Sequence, residues 1–218
     1  MNMEELKFTQ VYPKERVDFK CTFCGSCCRH VEKSVPVESL DAFRIAKYLK
    51  DTGQPRNIVG FYTRYAEPMF LDSCGYAVYF LKTNGEDKVC VFLHEGRCRI
   101  HDVKPRACRL YPFVVSPEDG TYYVSQEKQH HFAGGKVHVK RWMKNNLSKA
   151  DEVFMKSDYN SAPEIAMLLR KIPEEKKERA LFDFMLYKYW DYDLDSPFME
   201  QYERNQKKLM QELEELSV

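Results

Sequence analysis

Long apolar stretches are missing from this 218-residue sequence. No run of about eighteen apolar residues, the length that a membrane-spanning helix needs, occurs in it, so we expect no membrane span. The first twenty residues carry acidic and basic side chains by turns and lack the apolar core of a secretory signal. We therefore expect a cytoplasmic protein, whose thiols stay reduced.

A strong net charge is missing as well. Lys and Arg together number 34 and Asp and Glu 33, which leaves a formal charge of +1. No strong field therefore draws the whole molecule to nucleic acid or to an anionic membrane, and we expect no nucleic-acid partner. Recognition must depend on local surfaces, and we expect a protein partner or a peptide substrate.

Several enzyme signatures are absent. The sequence has no Gly-rich phosphate loop, no G-x-G-x-x-G, no H-E-x-x-H and no C-x-x-x-C-x-x-C of the radical S-adenosylmethionine type. No motif of these kinds therefore names a substrate.

Cysteine, in contrast, is plentiful and clustered. Four of the eight cysteines, Cys21, Cys24, Cys27 and Cys28, fall within eight residues. Thiolates bind zinc and iron–sulfur centres strongly, and C-x-x-C spacing lets two sulfurs reach one centre. Gly25 suits the intervening turn because it tolerates positive φ. In a reducing compartment this clustering favours metal over disulfides.

The remaining cysteines near the middle of the chain fall on predicted short elements. Residues 76–81 and 88–93 flank Asn84-Gly85 and predict a hairpin that places Cys90 on a strand. Gly96 predicts a turn before Cys98. Asp102 and Pro105 predict the start of a short helix that carries Cys108. If residues 21–28 were helical, Cys21, Cys24 and Cys28 would share a stripe and Cys27 would point aside.

The periodicity elsewhere predicts an α+β fold, with a small antiparallel β element and short helices around a cysteine-ligated metal centre. We expect residues 1–135 to form a cysteine-cluster metal-binding domain and residues 136–218 a helical section packed on it. Beside a strand over 121–125, the pattern predicts helices over 38–50, 56–65, 137–147, 163–170, 173–189 and 197–216.

Four blocks carry a resemblance to a known family. They are Cys-x-x-Cys-Gly-x-Cys-Cys-Arg, Cys90-Val-Phe-Leu, Gly-Arg-Cys98-Arg-Ile-His and Lys-Pro-Arg-Ala-Cys108-Arg-Leu-Tyr-Pro-Phe. Their order resembles the zinc- or iron-chelating proteins of the CxxCxxCC type, also called YkgJ-like. The resemblance implies a cysteine-ligated centre, more an iron–sulfur cluster than zinc, on Cys21, Cys24, Cys27, Cys28, Cys90, Cys98 and Cys108.

Two points of the resemblance leave alternatives open. Many relatives have Cys-Pro-Gly where this chain reads Gln129-His-His-Phe-Ala-Gly-Gly135, so a ligand from that position is in doubt. Four thiolates complete one [4Fe–4S] cluster or one zinc, and eight complete two. Seven matched cysteines fit neither count, unless Cys74 joins, some thiols do not ligate, or one metal position is open.

Basic residues next to the cysteines suggest how a negative centre is balanced. Arg29, Arg106 and Arg109 are our candidates for contact with the cofactor, with Arg99 as a further neighbour, and a surface role is the alternative. His30 and His101 fit hydrogen-bonding neighbours better than ligands. The basic stretch 136–149 fits a solvated face better than a site for an acidic partner.

Three functions are compatible with this sequence. The first is an iron–sulfur protein for electron transfer or redox sensing, with a [4Fe–4S] cluster and a second centre as an option. The second is a module in which zinc only holds the fold. The third is a cluster-dependent protein lysine methyltransferase or maturation factor, because flagellin lysine N-methylases contain a similar cysteine domain.

Overall fold

The computed structural model describes residues 8–52, 56–71, 73–116, 120–125 and 134–218. These residues form an α+β fold, as predicted. The α-helices are α1 (Ser39–Lys50), α2 (Ile58–Tyr65), α3 (Arg106–Leu110), α4 (Val139–Asn146), α5 (Lys149–Lys171), α6 (Lys177–Met185) and α7 (Phe198–Leu216). The strands are β1 (Phe8–Val11), β2 (Arg16–Asp18), β3 (Pro36–Val37), β4 (Ala66–Phe70), β5 (Ala77–Leu81), β6 (Thr83–Asn84), β7 (Val89–Cys90), β8 (Leu93–His94), β9 (Arg97–Cys98), β10 (Phe113–Val115), β11 (Tyr122–Ser125) and β12 (Lys136–His138).

The chain divides into two compact units that alternate along the sequence. Unit 1 comprises Met1–Glu32 and Thr83–Lys149, and unit 2 comprises Lys33–Lys82 and Ala150–Val218. The domain boundary expected at residue 135 stays a prediction. Within the described part of the chain, no helix is both long and apolar enough to cross a membrane.

Unit 1 is built from small antiparallel sheets. Strand β11 lies between β1 and β10, and β2 pairs with β12. The apolar side chains of these strands pack with α3 and α4 around Leu110, Phe113, Val139 and Met143. This core places α3, the helix that carries Cys108, at a defined position in the unit.

The predicted hairpin around Asn84-Gly85 is shorter than expected. Strand β6 pairs with β7, but the preceding strand β5 pairs with β3 and β4 of unit 2 instead. The apolar run 77–81 is buried on almost every residue, which suits the centre of a three-stranded sheet better than one arm of an exposed hairpin. Cys90 lies on a strand, as predicted.

Unit 2 combines the β3–β5–β4 sheet with long helices and an aromatic core. Phe154 of α5 contacts Phe198 and Tyr202 of α7, with ring centroids 5.7 and 5.1 Å apart. Tyr189 packs on Tyr62 and Tyr79. The predicted helices 38–50, 56–65 and 197–216 are confirmed as α1, α2 and α7.

Helix α5 corrects one expectation. The sequence predicts a separate helix over 163–170, but α5 is continuous and contains Pro163. The Ser161 hydroxyl donates to the Asp158 carbonyl within the helix. Burial of Phe154 on one side of the proline and of Ile165 on the other offsets the cost of about 3 kcal/mol that an internal proline carries.

The predicted helix over 173–189 also changes form near its end. Helix α6 stops at Met185 and a π-helix, Leu186–Trp190, follows. The π-turn buries Lys188, whose Nζ lies 2.5 Å from Asp158 Oδ1 and 5.6 Å from the centre of the Tyr76 ring. The pairing compensates for taking the ammonium group out of water.

Candidate metal centre

The segment that carries the first four cysteines is a loop and not a helix. Only Ser26–Cys28 form a 3₁₀ turn, and Phe23 and Gly25 before it have φ values of 57° and 71°. The helical stripe of Cys21, Cys24 and Cys28 is therefore wrong, because left-handed residues interrupt any right-handed helix. In the 3₁₀ turn, the sulfurs of Cys27 and Cys28 lie 3.8 Å apart.

Close backbone packing holds this loop against the short strands of unit 1. A Cβ atom on Gly25 would lie 2.9 Å from Leu93 Cδ1 and 3.0 Å from the Gly96 carbonyl oxygen, so glycine is required there by space as well as by φ. The His30 and Val31 N–H groups donate to the carbonyls of Asp87 and Lys88, at 2.9 and 3.1 Å. The loop therefore lies beside the hairpins that carry Cys90 and Cys98.

Three further thiols come from separate elements of the same unit. Cys90 lies at the end of β7, Cys98 at the end of β9 and Cys108 within α3. The turn at Gly96 (φ 76°) before Cys98 is as predicted. Asp102 does not cap α3 as expected, because a 3₁₀ turn at His101–Val103 comes first and Pro105 occupies the cap position.

Five sulfurs, those of Cys27, Cys28, Cys90, Cys98 and Cys108, form what we call the thiol cluster. Burial raises the pKa of Cys90 from 9.0 to about 11, and the nearby thiols of Cys98 and Cys27 add to that rise. Burial likewise raises the pKa of Cys108 well above its ordinary value, reinforced by the charges of Cys90, Cys27 and Cys98. Such mutual effects place the sulfurs within electrostatic range of one another, which is a wider range than the spacing of ligands around one metal ion.

Cys28 belongs to the same group. Its hydrogen bond with Cys27, its burial and the charges of Cys27, Cys90 and Cys108 all raise its pKa. Four thiolates held this close would repel each other strongly unless a cation or protons compensate for them. The thiol cluster is thus a place where negative charge is costly and where a bound cation would relieve the cost.

One cation beside the thiol cluster escaped sequence reasoning. The charge of Lys104 lowers the pKa values of Cys98 and Cys108, opposing the larger effect of burial on each. Its Nζ atom lies 3.4 Å from His101 Nε2. The sequence signal was its position in the Lys-Pro-Arg block, where only the arginines were considered.

Three cysteines, Cys21, Cys24 and Cys74, lie outside the thiol cluster as defined. Cys21 and Cys24 are exposed, like Cys27, and the charge of Cys27 acts on the Cys24 thiol. A hydrogen bond with Ser26, whose Oγ lies 3.4 Å from the Cys24 sulfur, lowers the pKa of Cys24. Cys74 is buried in unit 2, beside Tyr76. Cys74 therefore does not belong to the group of thiols gathered in unit 1.

The three candidate arginines have different surroundings. Arg109 donates from Nε to the Lys104 carbonyl at 3.2 Å and from Nη1 to the Asn146 carbonyl at 3.0 Å, so it joins α3 to the end of α4. Arg106 is half-buried, and Arg29 is exposed. Contact of any of them with a cofactor stays a prediction.

The two candidate histidines fit neighbours of the site. His30 is exposed and has a φ of 54°. The ring of His101 lies 5.0 Å from that of Phe23, and its Nδ1 lies 3.5 Å from Asp102 Oδ1. Both ring nitrogens of His101 thus have polar neighbours. The segment Gln129–Ala133, where relatives carry a further cysteine, lies outside the described residues.

Thiol sulfurs are the donors that a thiophilic metal prefers, but in this structure they are spaced too widely to hold one metal ion. All eight cysteines are thiols outside any disulfide. Among the residues that the structure describes, no three Cys, His, Asp or Glu side chains are arranged so that they hold one metal ion. Coordination therefore requires the sulfurs to approach one another more closely than they do here.

Comparison with known proteins identifies the cysteine-rich part. The family model CxxCxxCC, described as "Putative zinc- or iron-chelating domain", matches residues 20–137. No curated protein and no solved structure gives a match. Since the match covers more than half of the 218 residues and includes the whole thiol cluster, a metal-binding role fits unit 1, and the chain belongs to the CxxCxxCC family of zinc- or iron-chelating proteins.

Proposed function

We propose that unit 1 binds an iron–sulfur cluster and serves in electron transfer or redox sensing. The observation that carries this proposal is that five thiols from four separate segments of one unit lie within electrostatic range of one another. Clusters of the [4Fe–4S] type are held by four cysteine thiolates. Membership of a zinc- or iron-chelating family supports the coarser claim of metal binding.

The residues of the thiol cluster would supply the ligands. Cys90, Cys98 and Cys108 lie on strands and a helix, and Cys27 and Cys28 lie on the adjoining loop. Coordination would require this loop to bring its sulfurs closer to the other three. Cys21 and Cys24 are exposed and would close over the centre or serve a second one. When bound, the cluster supplies reversible one-electron chemistry.

The remaining residues would tune and protect such a centre. The positive charge of Lys104 favours the thiolate forms of Cys98 and Cys108. The rings of Phe23 and His101, which lie near the first cysteines and near Cys98 in sequence, are 5.0 Å apart. An electron carrier also needs a partner to exchange electrons with, so we propose a protein partner for unit 1.

Structural zinc is the second candidate, and the size of the elements favours it. Strands β6, β7, β8 and β9 are each two residues long. Hairpins this short are marginal in water, and a metal that joins their cysteines would hold them together. The methyltransferase and maturation-factor hypotheses stay predictions.

Anaerobic purification followed by measurement of iron, acid-labile sulfide and zinc decides between the two metals. The iron–sulfur proposal expects iron and sulfide in equal amounts, visible absorption and a spin-resonance signal after reduction. Stoichiometric zinc in a colourless protein supports the structural alternative, because zinc has a filled d shell. A reduced, folded protein that binds neither metal contradicts both.

Cysteine variants test which thiols carry the metal. Cys98→Ser and Cys108→Ser should each lose most of the bound metal. Cys74→Ser is the matched control, since Cys74 is a cysteine of unit 2, and it should retain the metal. Equal loss in all three variants would show a general folding defect, which circular dichroism of each variant would reveal.

A further inference from the structure

A surface pocket in unit 1 has a markedly basic lining. Its volume is about 370 Å³, and Arg16, Lys136, His138, Arg141, Trp142 and Asn145 line it. The pocket lies where β2 pairs with β12, at the start of α4. A volume of this size accommodates a small organic molecule.

Two of the cations around this pocket have no carboxylate partner among the described residues. From residue 134 to residue 149 the chain contains five Lys or Arg side chains and no Asp or Glu. On β2, Asp18 pairs with Lys136, with Oδ1 and Nζ 3.6 Å apart. The Glu15 carboxylate accepts from the Tyr12 N–H. Among the described residues, this leaves Arg16 and Arg141 without an ion-pair partner.

The position of Arg141 is unfavourable for the helix itself. Arg141 and Lys140 lie in the first turn of α4, which contains no acidic residue. The helix dipole favours anions at this end and disfavours cations. The Val139 and Lys140 N–H groups already donate to the carbonyls of Glu15 and Pro13. Helix stability therefore gives no reason for these cations, whereas an anionic ligand held by side chains does.

His138, a residue of the pocket lining, has one ring nitrogen without a hydrogen-bond partner among the described residues. This atom, Nδ1, is buried. A buried polar atom without a partner is costly, and such atoms commonly meet a ligand or a water molecule. His138 lines the pocket directly opposite Arg16 in the strand pair.

We propose that this pocket binds a small organic phosphate. Guanidinium groups match the geometry of phosphate oxygens and bind them through paired hydrogen bonds, which assigns the phosphate to Arg16 and Arg141. The half-buried indole of Trp142 offers an apolar wall for the organic part. Its ring nitrogen donates to the Leu110 carbonyl at 3.2 Å, which holds the ring in place. The lining residues are not members of the thiol cluster, so phosphate binding here does not depend on which metal is bound there.

Calorimetric titration of the full-length protein at low ionic strength tests this proposal. Inorganic phosphate and adenosine monophosphate should bind, and adenosine, which has no phosphate, should not. Arg141→Gln should weaken the binding of adenosine monophosphate by about tenfold, because a charge-assisted pair of hydrogen bonds is lost, and the Arg16→Gln/Arg141→Gln variant should abolish it.

The matched control is Lys144→Gln, which removes a charge of the same sign from the same helix at a residue that does not line the pocket. It should change the affinity by less than about twofold, since an exposed charge is screened. Metal content and circular dichroism should match the unmodified protein in every variant. The proposal is overturned if neither phosphate compound binds at millimolar concentration. It is also overturned if Lys144→Gln weakens binding as much as Arg141→Gln, or if polyglutamate binds and the phosphates do not.

Discussion

The two units of this chain reach a folded state by different means. Unit 2 has helices of 12, 23 and 19 residues, and nine of the twelve largest fully buried side chains among the described residues belong to it. In unit 1, no described α-helix exceeds 8 residues, yet the unit holds seven of the eight cysteines. A small domain that buries little apolar surface commonly gains the missing stability from a bound metal that cross-links its segments.

Each unit contains one tryptophan, so the two can be followed separately. Trp142 belongs to unit 1 and Trp190 to unit 2. A Trp190→Phe variant therefore reports on unit 1 by fluorescence, and a Trp142→Phe variant reports on unit 2. The predictions below use this pair of reporters.

Metal removal should have the largest effect and should act on unit 1. A metal that joins cysteines of separate segments adds its binding free energy to the stability of the domain that holds it. Chelation under reducing conditions should therefore unfold the surroundings of Trp142 at denaturant concentrations that leave Trp190 unchanged. The measurement is the fluorescence unfolding curve of each single-tryptophan variant, with and without chelator. Curves that shift equally for both tryptophans would contradict a difference between the units.

Truncation of the aromatic core should act on unit 2 alone. Phe154 is 1% exposed and packs on Phe198 and Tyr202, so Phe154→Ala should lower the free energy of unfolding reported by Trp190 by about 3–5 kcal/mol. Val153→Ala, at a neighbouring residue that is 48% exposed, is the control and should cost less than about 1 kcal/mol. Loss of bound metal in Phe154→Ala would show that the core of unit 2 also supports the thiol cluster.

As the pH rises above 9, the stability of metal-free unit 1 should fall at a lower pH than that of unit 2. The folded protein raises the pKa of Cys90 from 9.0 to about 11, so its contribution to stability is complete below pH 9 and is lost as pH rises through 11. The loss is on the order of 2 kcal/mol. Burial also raises the pKa values of Tyr62 and Tyr189 in unit 2, but tyrosine begins to titrate about one pH unit higher.

Denaturant unfolding of the reduced, chelated protein at pH 8, 9 and 10 measures this difference. The free energy of unfolding that Trp142 reports should fall between pH 8 and 10. Cys90→Ala should make this fall smaller. A pH dependence that is unchanged in Cys90→Ala would remove Cys90 as its source.

The smallest expected effect concerns Lys104. Its charge favours the thiolates of Cys98 and Cys108, so Lys104→Gln should raise the pKa values of both thiols in the metal-free protein. The change should correspond to less than about 1 kcal/mol, because the ammonium group is partly solvated. The rate of thiol alkylation as a function of pH, resolved by residue with mass spectrometry, measures it.

Lys88→Gln is the matched control for Lys104→Gln. Lys88 precedes the strand of Cys90, but its Nζ lies 3.0 Å from Glu32 Oε1 and its side chain is about half exposed. It should leave the alkylation profiles of Cys98 and Cys108 unchanged. If both variants changed the alkylation profiles equally, Lys104 would act on the thiols only through the total surface charge of the protein.

Sequence patterns predicted the long helices well and the short elements around the cysteines less well. Helices α1 and α7 have strong apolar periodicity, and both were found within one or two residues of the prediction. The i, i+3, i+7 spacing of Cys21, Cys24 and Cys28 would align them only on a helix, but Phe23 and Gly25 adopt positive φ, and Gly25 packs against Leu93. Contacts with a distant hairpin, which a local pattern does not contain, decide the conformation there.

The candidate site shows the same division. The order and spacing of the cysteines predicted a cysteine-ligated centre, and the family match supports metal binding. The sequence did not indicate that Cys27 and Cys28 stand 3.8 Å apart or that Lys104 acts on two of the thiols. Arg109, expected beside a cofactor, donates to two backbone carbonyls, a role that depends on where Asn146 lies.

The amino-acid sequence by itself determined which atoms are available: seven thiols in four blocks, an even charge balance and helices with clear apolar faces. Only the tertiary structure decided which thiols meet and which one, Cys74, stays apart in unit 2. The physical reason is that helix periodicity is a property of neighbouring residues, whereas the meeting of Cys28 with Cys90 and Cys108 depends on strand pairing and turn geometry between segments that lie far apart in the chain.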